Sequence, residues 1–163
     1  MVINESNIDK NIHISSLTLE TLRGKLARFF ELEPEWIRAR QPGWNEEQFC
    51  RELPFKWELS FTAEINGVIV GYIIGSQDKN NKKKSRVNKI VIDQNYHRQG
   101  ISRKLMHQYL NASIKHGMNK SELTAISDYP PANNLYTSLG YKHISVTTGT
   151  DGVNRNIYIK TIF

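Results

Sequence analysis

The stretch Ile90-Val91-Ile92-Asp93-Gln94-Asn95-Tyr96-His97-Arg98-Gln99-Gly100-Ile101-Ser102-Arg103-Lys104-Leu105-Met106 restricts the fold more than any other part of the chain. It starts as a short β-branched apolar run, which predicts a buried strand. A polar turn interrupts it. It resumes with apolar residues at Ile101, Leu105, Met106, Tyr109, Leu110 and Ile114, the spacing of an amphipathic helix. Between the two, Gly100 lets the backbone come close to a ligand. The first turn of a helix leaves its N–H groups unpaired, and together with the helix dipole they attract an anion. Arg98, Arg103 and Lys104 add full positive charges beside them. The physical reading is strand, phosphate-holding loop, helix.

The remaining segments supply what such a unit packs against. Residues 11–15 alternate weakly and predict a first strand. Leu19, Leu22, Leu26, Phe29 and Phe30 form the apolar stripe of a helix that contains Gly24. Pro34 can open a second short helix through Ala39, closed by Pro42-Gly43. Asn45-Glu46-Glu47-Gln48 has the form of a capping box. Phe55, Trp57, Leu59, Phe61, Ala63 and Ile65 then alternate with polar residues, predicting a long strand over 55–65. Asn66-Gly67 is a hairpin signal, and residues 68–75 return as a strand buried on both sides. With residues 87–92 they make an antiparallel meander. After the central helix and Gly117, residues 122–126 read as a strand that can lie parallel to 87–92. Pro130-Pro131 opens a helix through Leu139, followed by strands over 141–148 and 154–163 around the turn Gly149-Thr150-Asp151-Gly152. The expectation is one α/β (α+β) domain over residues 1–163, in the order β-α-α-β-β-β-α-β-α-β-β.

Composition narrows the function classes. The chain has 163 residues, 39% of them hydrophobic and 23% charged, enough for one core without staples. Its single cysteine, Cys50, rules out an internal disulfide, fits a reducing compartment and reads as core packing. Residues 1–5 lack the features of a signal peptide, and no apolar run approaches the roughly 20 residues of a membrane span. These features predict a cytoplasmic protein with no membrane partner. The net charge of +6 invites a nucleic-acid hypothesis, but Lys79, Lys82, Lys83, Lys84 and Arg86 against Asp78 account for +4 of it. That concentration reads as one solvated loop over 76–86, which argues against a nucleic-acid groove. His97, His107, His116 and His143 read as solvent or loop histidines without metal-ligand spacing. Glu31, Glu33, Glu35, Glu46 and Glu47, with Trp36 and Trp44, could form an acidic mouth for a cationic amine; solvated helix faces are the plainer reading.

The loop His97-Arg98-Gln99-Gly100-Ile101-Ser102 resembles the Gln/Arg-x-x-Gly-x-Gly/Ala motif of the GCN5-related N-acetyltransferase (GNAT) family, with His97 and Ser102 as departures. Residues 132–141 resemble the second signature of that family, Asn-x-x-Ala-x-x-Leu-Tyr-x-x-x-Gly-Phe/Tyr. Ala132, Leu135, Tyr136, Gly140 and Tyr141 match; Tyr129 stands where the leading asparagine is expected, and Asn133 or Asn134 could supply that amide. The element order is similar to the GNAT fold over almost the whole chain.

The resemblance implies a mixed, mostly antiparallel sheet of about seven strands with helices on both faces. It also implies acetyl-CoA as co-substrate. Arg98, Gln99, Gly100, Ile101, Ser102, Arg103 and Lys104 would hold its diphosphate. Ile90, Val91 and Ile92 would pair with its pantetheine in a slot made by splayed strands, and Asn133 is a further candidate contact. Tyr136 would protonate the departing thiolate. Many relatives carry a glutamate near the position of Lys89, but this chain has Asn88-Lys89. Glu33, Glu58 and Glu64 are then the candidate bases, Glu64 the first to test. The implied activity is transfer of an acetyl group to a primary amine, on a small molecule or a protein, by direct attack. The alternatives are a CoA-binding module of this fold without efficient catalysis, and a basic domain that binds nucleic acid or an acidic partner. The acceptor, the length of the acyl group and the choice between monomer and homodimer stay open.

Overall fold

The computed structural model describes residues 11–35, 39 and 43–163. Within them β1 (Ile12–Ser16), β2 (Phe61–Ile65), β3 (Val68–Gln77), β4 (Lys84–Ile92), β5 (Lys120–Ile126), β6 (Lys142–Thr148) and β7 (Asn154–Thr161) form one sheet in the order β1-β2-β3-β4-β5-β7-β6. Every neighbouring pair is antiparallel except β4 and β5. The helices among the described residues are α1 (Leu19–Gly24), α2 (Leu26–Leu32), α3 (Glu46–Cys50), α4 (Ile101–Lys115) and α5 (Pro130–Ser138). Their order agrees with the mixed, mostly antiparallel arrangement expected from the sequence.

Two apolar layers lie against the sheet. The stripe of α4 (Ile101, Leu105, Met106, Tyr109 and Leu110) packs with Phe61, Ala63, Ile73 and Ile92. Leu22, Phe29, Leu32 and Phe49 from α1 to α3 pack with Ile69, Tyr72, Ile74 and Val91. Thus β3 is buried on both faces, which explains its near-continuous apolar run. Cys50 is half-buried at the edge of the second layer. The β2–β3 turn has positive φ at both Asn66 (51°) and Gly67 (76°), the geometry that a two-residue hairpin demands. The capping box at Asn45 and Gln48 forms as expected, with both hydrogen bonds at 2.9 Å.

Three expectations are corrected. The strand predicted from Phe55 begins only at Phe61. Phe55 takes a φ of 57°, and the Leu59 N–H donates to its carbonyl at 3.0 Å, so residues 55–59 coil into a turn despite their alternation. The turn drives Lys56 inward, 1% exposed, where Nζ donates to the carbonyls of Phe49 (2.5 Å) and Arg51 (2.6 Å). The first helix is two helices, divided at Gly24-Lys25. The basic stretch 76–86 is not one solvated loop. Its ends are strand, and Asp78 is buried between Arg86 (3.2 Å) and Lys84 (3.6 Å). Both cations also reach Glu122 on β5, at 2.9 and 3.2 Å. The readings placed on residues 1–5, on Trp36 and Pro42, and on most of the helix proposed over 34–39 lie outside the described residues. Among the described residues no helix is long and apolar enough to cross a membrane.

Candidate functional site

The parallel ladder between β4 and β5 is short. Lys84, Ser85 and Arg86 pair with Lys120, Ser121 and Glu122, and there the pairing stops. Beyond it β5 stays paired with β7 to Ile126, while β4 continues alone with β3 to Ile92. The two strands therefore part like the arms of a V. A buried hydroxyl network braces the apex: Tyr109 OH lies 2.7 Å from Ser85 Oγ and 2.8 Å from Ser121 Oγ, and Tyr141 OH lies 2.7 Å from Ser121 Oγ. Burial pushes the Tyr109 phenol up to about 12 and the Tyr141 phenol above its ordinary range, although serine partners pull each back. A bulge adds to the opening. The β3–β4 pairing steps from Ile74 with Lys89 to Gly75 with Val87, leaving Asn88 as the extra residue, and its amide donates to Ser76 Oγ at 2.8 Å.

A cleft of about 610 Å³ fills the opening. One wall is Ile90, Val91 and Ile92 with Tyr96, His97, Arg98, Gly100, Ile101, Ser102 and Arg103; the other is Tyr129, Pro131, Ala132, Leu135 and Tyr136 of α5 and its N-cap; Pro34 contributes from beyond α2. The corner between β4 and α4 is held in an unusual backbone state. Arg98 has a φ of 63° and Gly100 a φ of 77°. Left-handed Gly100 followed by helical Ile101 makes successive N–H groups converge into an anion-binding concavity. Among the described residues no side chain caps this end of α4, which leaves its first amides for a ligand. His97 earns its departure from the motif locally: with its proton on Nε2 it donates to the Ile92 carbonyl at 3.0 Å, fastening the corner to the strand. Arg103 donates across to Ser138 Oγ of α5 at 2.8 Å, a neutral partner that leaves its charge uncompensated by that bond.

Of the residues singled out from sequence, Ile90, Val91, Ile92, Arg98, Gly100, Ile101, Ser102, Arg103 and Tyr136 come together on this cleft. Gln99 lies in the same corner without lining it, and among the described residues its Oε1 is buried without a hydrogen-bond partner. Lys104 sits one position beyond the lining run, in the first turn of α4. Asn133 does not reach the cleft. Its amide donates to the carbonyls of Ile126 (2.9 Å) and Tyr129 (2.7 Å), and its oxygen accepts from Asn156 (2.9 Å) and Tyr158 (2.6 Å). Its polar capacity is spent on tying α5 to β5 and β7. Glu64 does not reach it either: it stands on β2 between His13 and Ile69, with β3 intervening before β4. Tyr136 is 4% exposed, its ring against Tyr141 and Tyr158 at centroid distances of 6.1 and 6.0 Å. Burial pushes its phenol well above the ordinary range.

The proposed acidic mouth is mostly solvated: Glu31, Glu35, Glu46 and Glu47 are exposed. Glu33 is the exception, buried with Lys89 Nζ at 3.0 Å. Sequence reasoning missed Pro34, Tyr96 and Pro131 as lining residues. They carry no motif and reach the cleft only because separate elements converge on it. Among the described residues no group of histidine, cysteine and carboxylate side chains is placed to hold a metal ion.

Comparison with known proteins agrees with this geometry. A family model described as the acetyltransferase (GNAT) domain matches residues 41–161. No curated protein matches. Among solved structures, the chain is similar to the ribosomal-protein-S18-alanine N-acetyltransferase from Escherichia coli, at 23% identity and a TM-score of 0.72 over 93% of this chain and 94% of that one. It is similar to a chain of the NatC complex bound to Gag peptide and CoA, at 17% identity and a TM-score of 0.78 over 94% and 99%. It is also similar to yncA from Salmonella typhimurium, solved with its cofactor acetyl-CoA, at 13% identity and a TM-score of 0.71 over 94% and 95%. At these identities the likeness is one of fold.

Proposed function

Since the chain belongs to the acetyltransferase (GNAT) domain family, we propose that it moves the acetyl group of acetyl-CoA to a primary amine, on a small molecule or a protein, by direct attack on the thioester. One observation carries this reading: the gap between β4 and β5 opens onto a corner whose left-handed Arg98 and Gly100 present main-chain amides. An extended thioester arm needs a free strand edge, and a diphosphate needs converging donors. The two lie end to end here. Among the described residues nothing lies within 4 Å of where a Cβ on Gly100 would stand, so the corner has room for a phosphate to approach.

In this reading acetyl-CoA supplies the activated acyl group. The amides of Gly100, Ile101, Ser102 and Arg103 take its diphosphate, with Arg98, Gln99 and Lys104 adding charge and polar contacts around them. The free edge of Ile90, Val91 and Ile92 pairs with the pantetheine and gives the thioester oxygen a donor as negative charge develops there. Tyr136 stays protonated at neutral pH, and its hydroxyl donates to the departing sulfur.

Thermal melting with acetyl-CoA tests the binding. A ligand at a hundred times its dissociation constant adds about 2.7 kcal/mol of stability, a rise of several degrees for a chain of this size. No rise removes the proposal, and a rise with an oligonucleotide in its place favours the basic-domain alternative. Release of free CoA thiol in the presence of spermidine, an aminoglycoside or a peptide with a free N-terminus tests the transfer. Tyr136→Phe is expected to lower kcat on the order of 10²-fold while leaving the acetyl-CoA shift intact. Unchanged turnover would take Tyr136 out of the mechanism.

A further inference from the structure

An amine of ordinary basicity is an ammonium ion at neutral pH and must lose a proton before it attacks. Few carboxylates near the cleft are free to take it. Asp93 is committed to Arg28 Nη2 at 2.8 Å and to the Asn95 N–H at 2.9 Å. Glu122 is held by Lys84 and Arg86 at the closed end of the V. Glu33 differs from both. It is 5% exposed at the end of α2, and its Oε2 accepts from Lys89 Nζ at 3.0 Å. Among the described residues its Oε1 is buried with no hydrogen-bond partner. A buried carboxylate oxygen is normally matched by a donor, so this one retains the capacity to accept a further hydrogen bond.

Glu33 and Lys89 do not line the cleft themselves, but each adjoins in sequence a residue that does. Pro34, the residue after Glu33, lines it, and Lys89 directly precedes Ile90, which also lines it. Lys89 Nζ lies 5.0 Å from the Trp44 ring and 5.9 Å from the Phe49 ring, so the ion pair belongs to the layer of α1 to α3. The amides proposed for the diphosphate belong to α4, which packs in the other layer. The carboxylate and the diphosphate corner therefore meet the same strand from opposite faces, the arrangement in which an amine and a thioester can approach each other without competing for space.

We propose that Glu33 is the proton acceptor for the incoming amine and that Lys89 is the positioning residue that fixes its carboxylate, an assignment that rests on the acetyltransferase reading above. The ammonium donates to Oε1, directly or through one water, and transfers one proton to it. The freed lone pair forms the C–N bond at the thioester carbonyl carbon. The C–S bond breaks and its electron pair leaves on sulfur. A second proton from the nitrogen ends on that sulfur by way of the Tyr136 hydroxyl, and Glu33 returns its proton to water.

The test uses the full chain, acetyl-CoA and whichever amine of the panel turns over fastest. Glu33→Gln is expected to lose about 10²-fold in kcat at pH 7, with the deficit narrowing as the pH rises toward the pKa of the amine. Its melting shift with acetyl-CoA should match that of the unaltered chain. Because Glu33→Gln removes the carboxylate beside a buried ammonium, the double variant Glu33→Gln/Lys89→Met is measured alongside it. That variant keeps the bulk without either charge and is expected to be folded and as slow as the single variant. A deficit that does not change with pH, or a double variant with the turnover of the unaltered chain, overturns the assignment of Glu33 alone. If the unaltered chain acetylates no amine, the acetyltransferase reading itself fails and this inference falls with it.

Discussion

An alanine at Gly75 would set its Cβ 2.7 Å from Tyr109 Cε2 and 2.8 Å from the Leu59 carbonyl oxygen. The ring is locked by two serine hydroxyls and the carbonyl is backbone, so neither can give way easily. Gly75→Ala is expected to cost about 1–3 kcal/mol, read as a lower melting midpoint. Gly100 answers to a different constraint. Its φ of 77° carries a penalty of roughly 1–2 kcal/mol for an L side chain, yet a Cβ there would meet nothing among the described residues. Gly100→Ala should therefore lose most of the acetyl-CoA melting shift while staying folded. A full shift retained by Gly100→Ala would mean that the diphosphate sits elsewhere. The comparison separates a glycine required by packing from one required by a ligand, a distinction invisible when both are read simply as glycine.

At the scale of elements, the C-terminal end of α3 is held by Lys56. This short helix has five residues, and its C-terminal carbonyls would be orphaned in a buried setting without the ammonium that bonds Phe49 and Arg51. Burial pulls the Lys56 ammonium below its ordinary range, with Glu52 opposing that shift. Lys56→Met keeps the length but leaves the carbonyls bare, and should destabilise the chain by about 1.5–3 kcal/mol in urea unfolding. A loss within about 0.5 kcal/mol would show the bonds to be incidental. Lys56 also shows why part of the fold could not be read in advance. The alternation through residues 55–65 has a strand's period, but the positive φ at Phe55 turns the chain and brings Lys56 to the end of α3, a contact that the alternation does not encode. Local signals were legible: the Asn66-Gly67 turn, the box at Asn45 and the stop at Gly117 each act within a few residues. Long-range pairings were not. Lys84 meets Glu122 across 38 positions and Glu33 meets Lys89 across 56, and neither spacing carries a periodicity. The cleft was half legible for the same reason, since the β4–α4 corner is one continuous stretch while Pro34 and Asn133 are placed by tertiary packing.

For the molecule as a whole, the buried phenols set how the fold responds to alkali. Tyr109, Tyr136 and Tyr141 are all raised by burial in the folded chain, Tyr109 to about 12 from an ordinary value near 10. Below pH 10 both folded and unfolded chains keep these protons, so their contribution to stability is fully present. Above pH 10 the unfolded chain sheds them first and binds fewer protons than the folded one, so stability must fall as pH rises toward 12. Tyr109 alone accounts for roughly 2–3 kcal/mol of that loss, a two-unit shift at about 1.4 kcal/mol per unit. Lys56 works in the opposite sense. Its folded pKa is lowered, so the folded chain releases that proton earlier and gains relative stability as the pH rises to 10.5, a gain already complete where the phenols begin to dominate. Three phenols against one ammonium leave the net slope downward. The melting midpoint should change little from pH 8 to 9.5 and then drop steeply between 10 and 12, with tyrosinate absorbance near 295 nm appearing together with unfolding. Because the apex of the V is built from Tyr109 and Tyr141 across Ser85 and Ser121, the acetyl-CoA shift should vanish in the same pH interval. If the phenols titrated near pH 10 while the chain stayed folded, the hydroxyl network would be open to water, and the brace that holds β4 apart from β5 would have to be sought elsewhere.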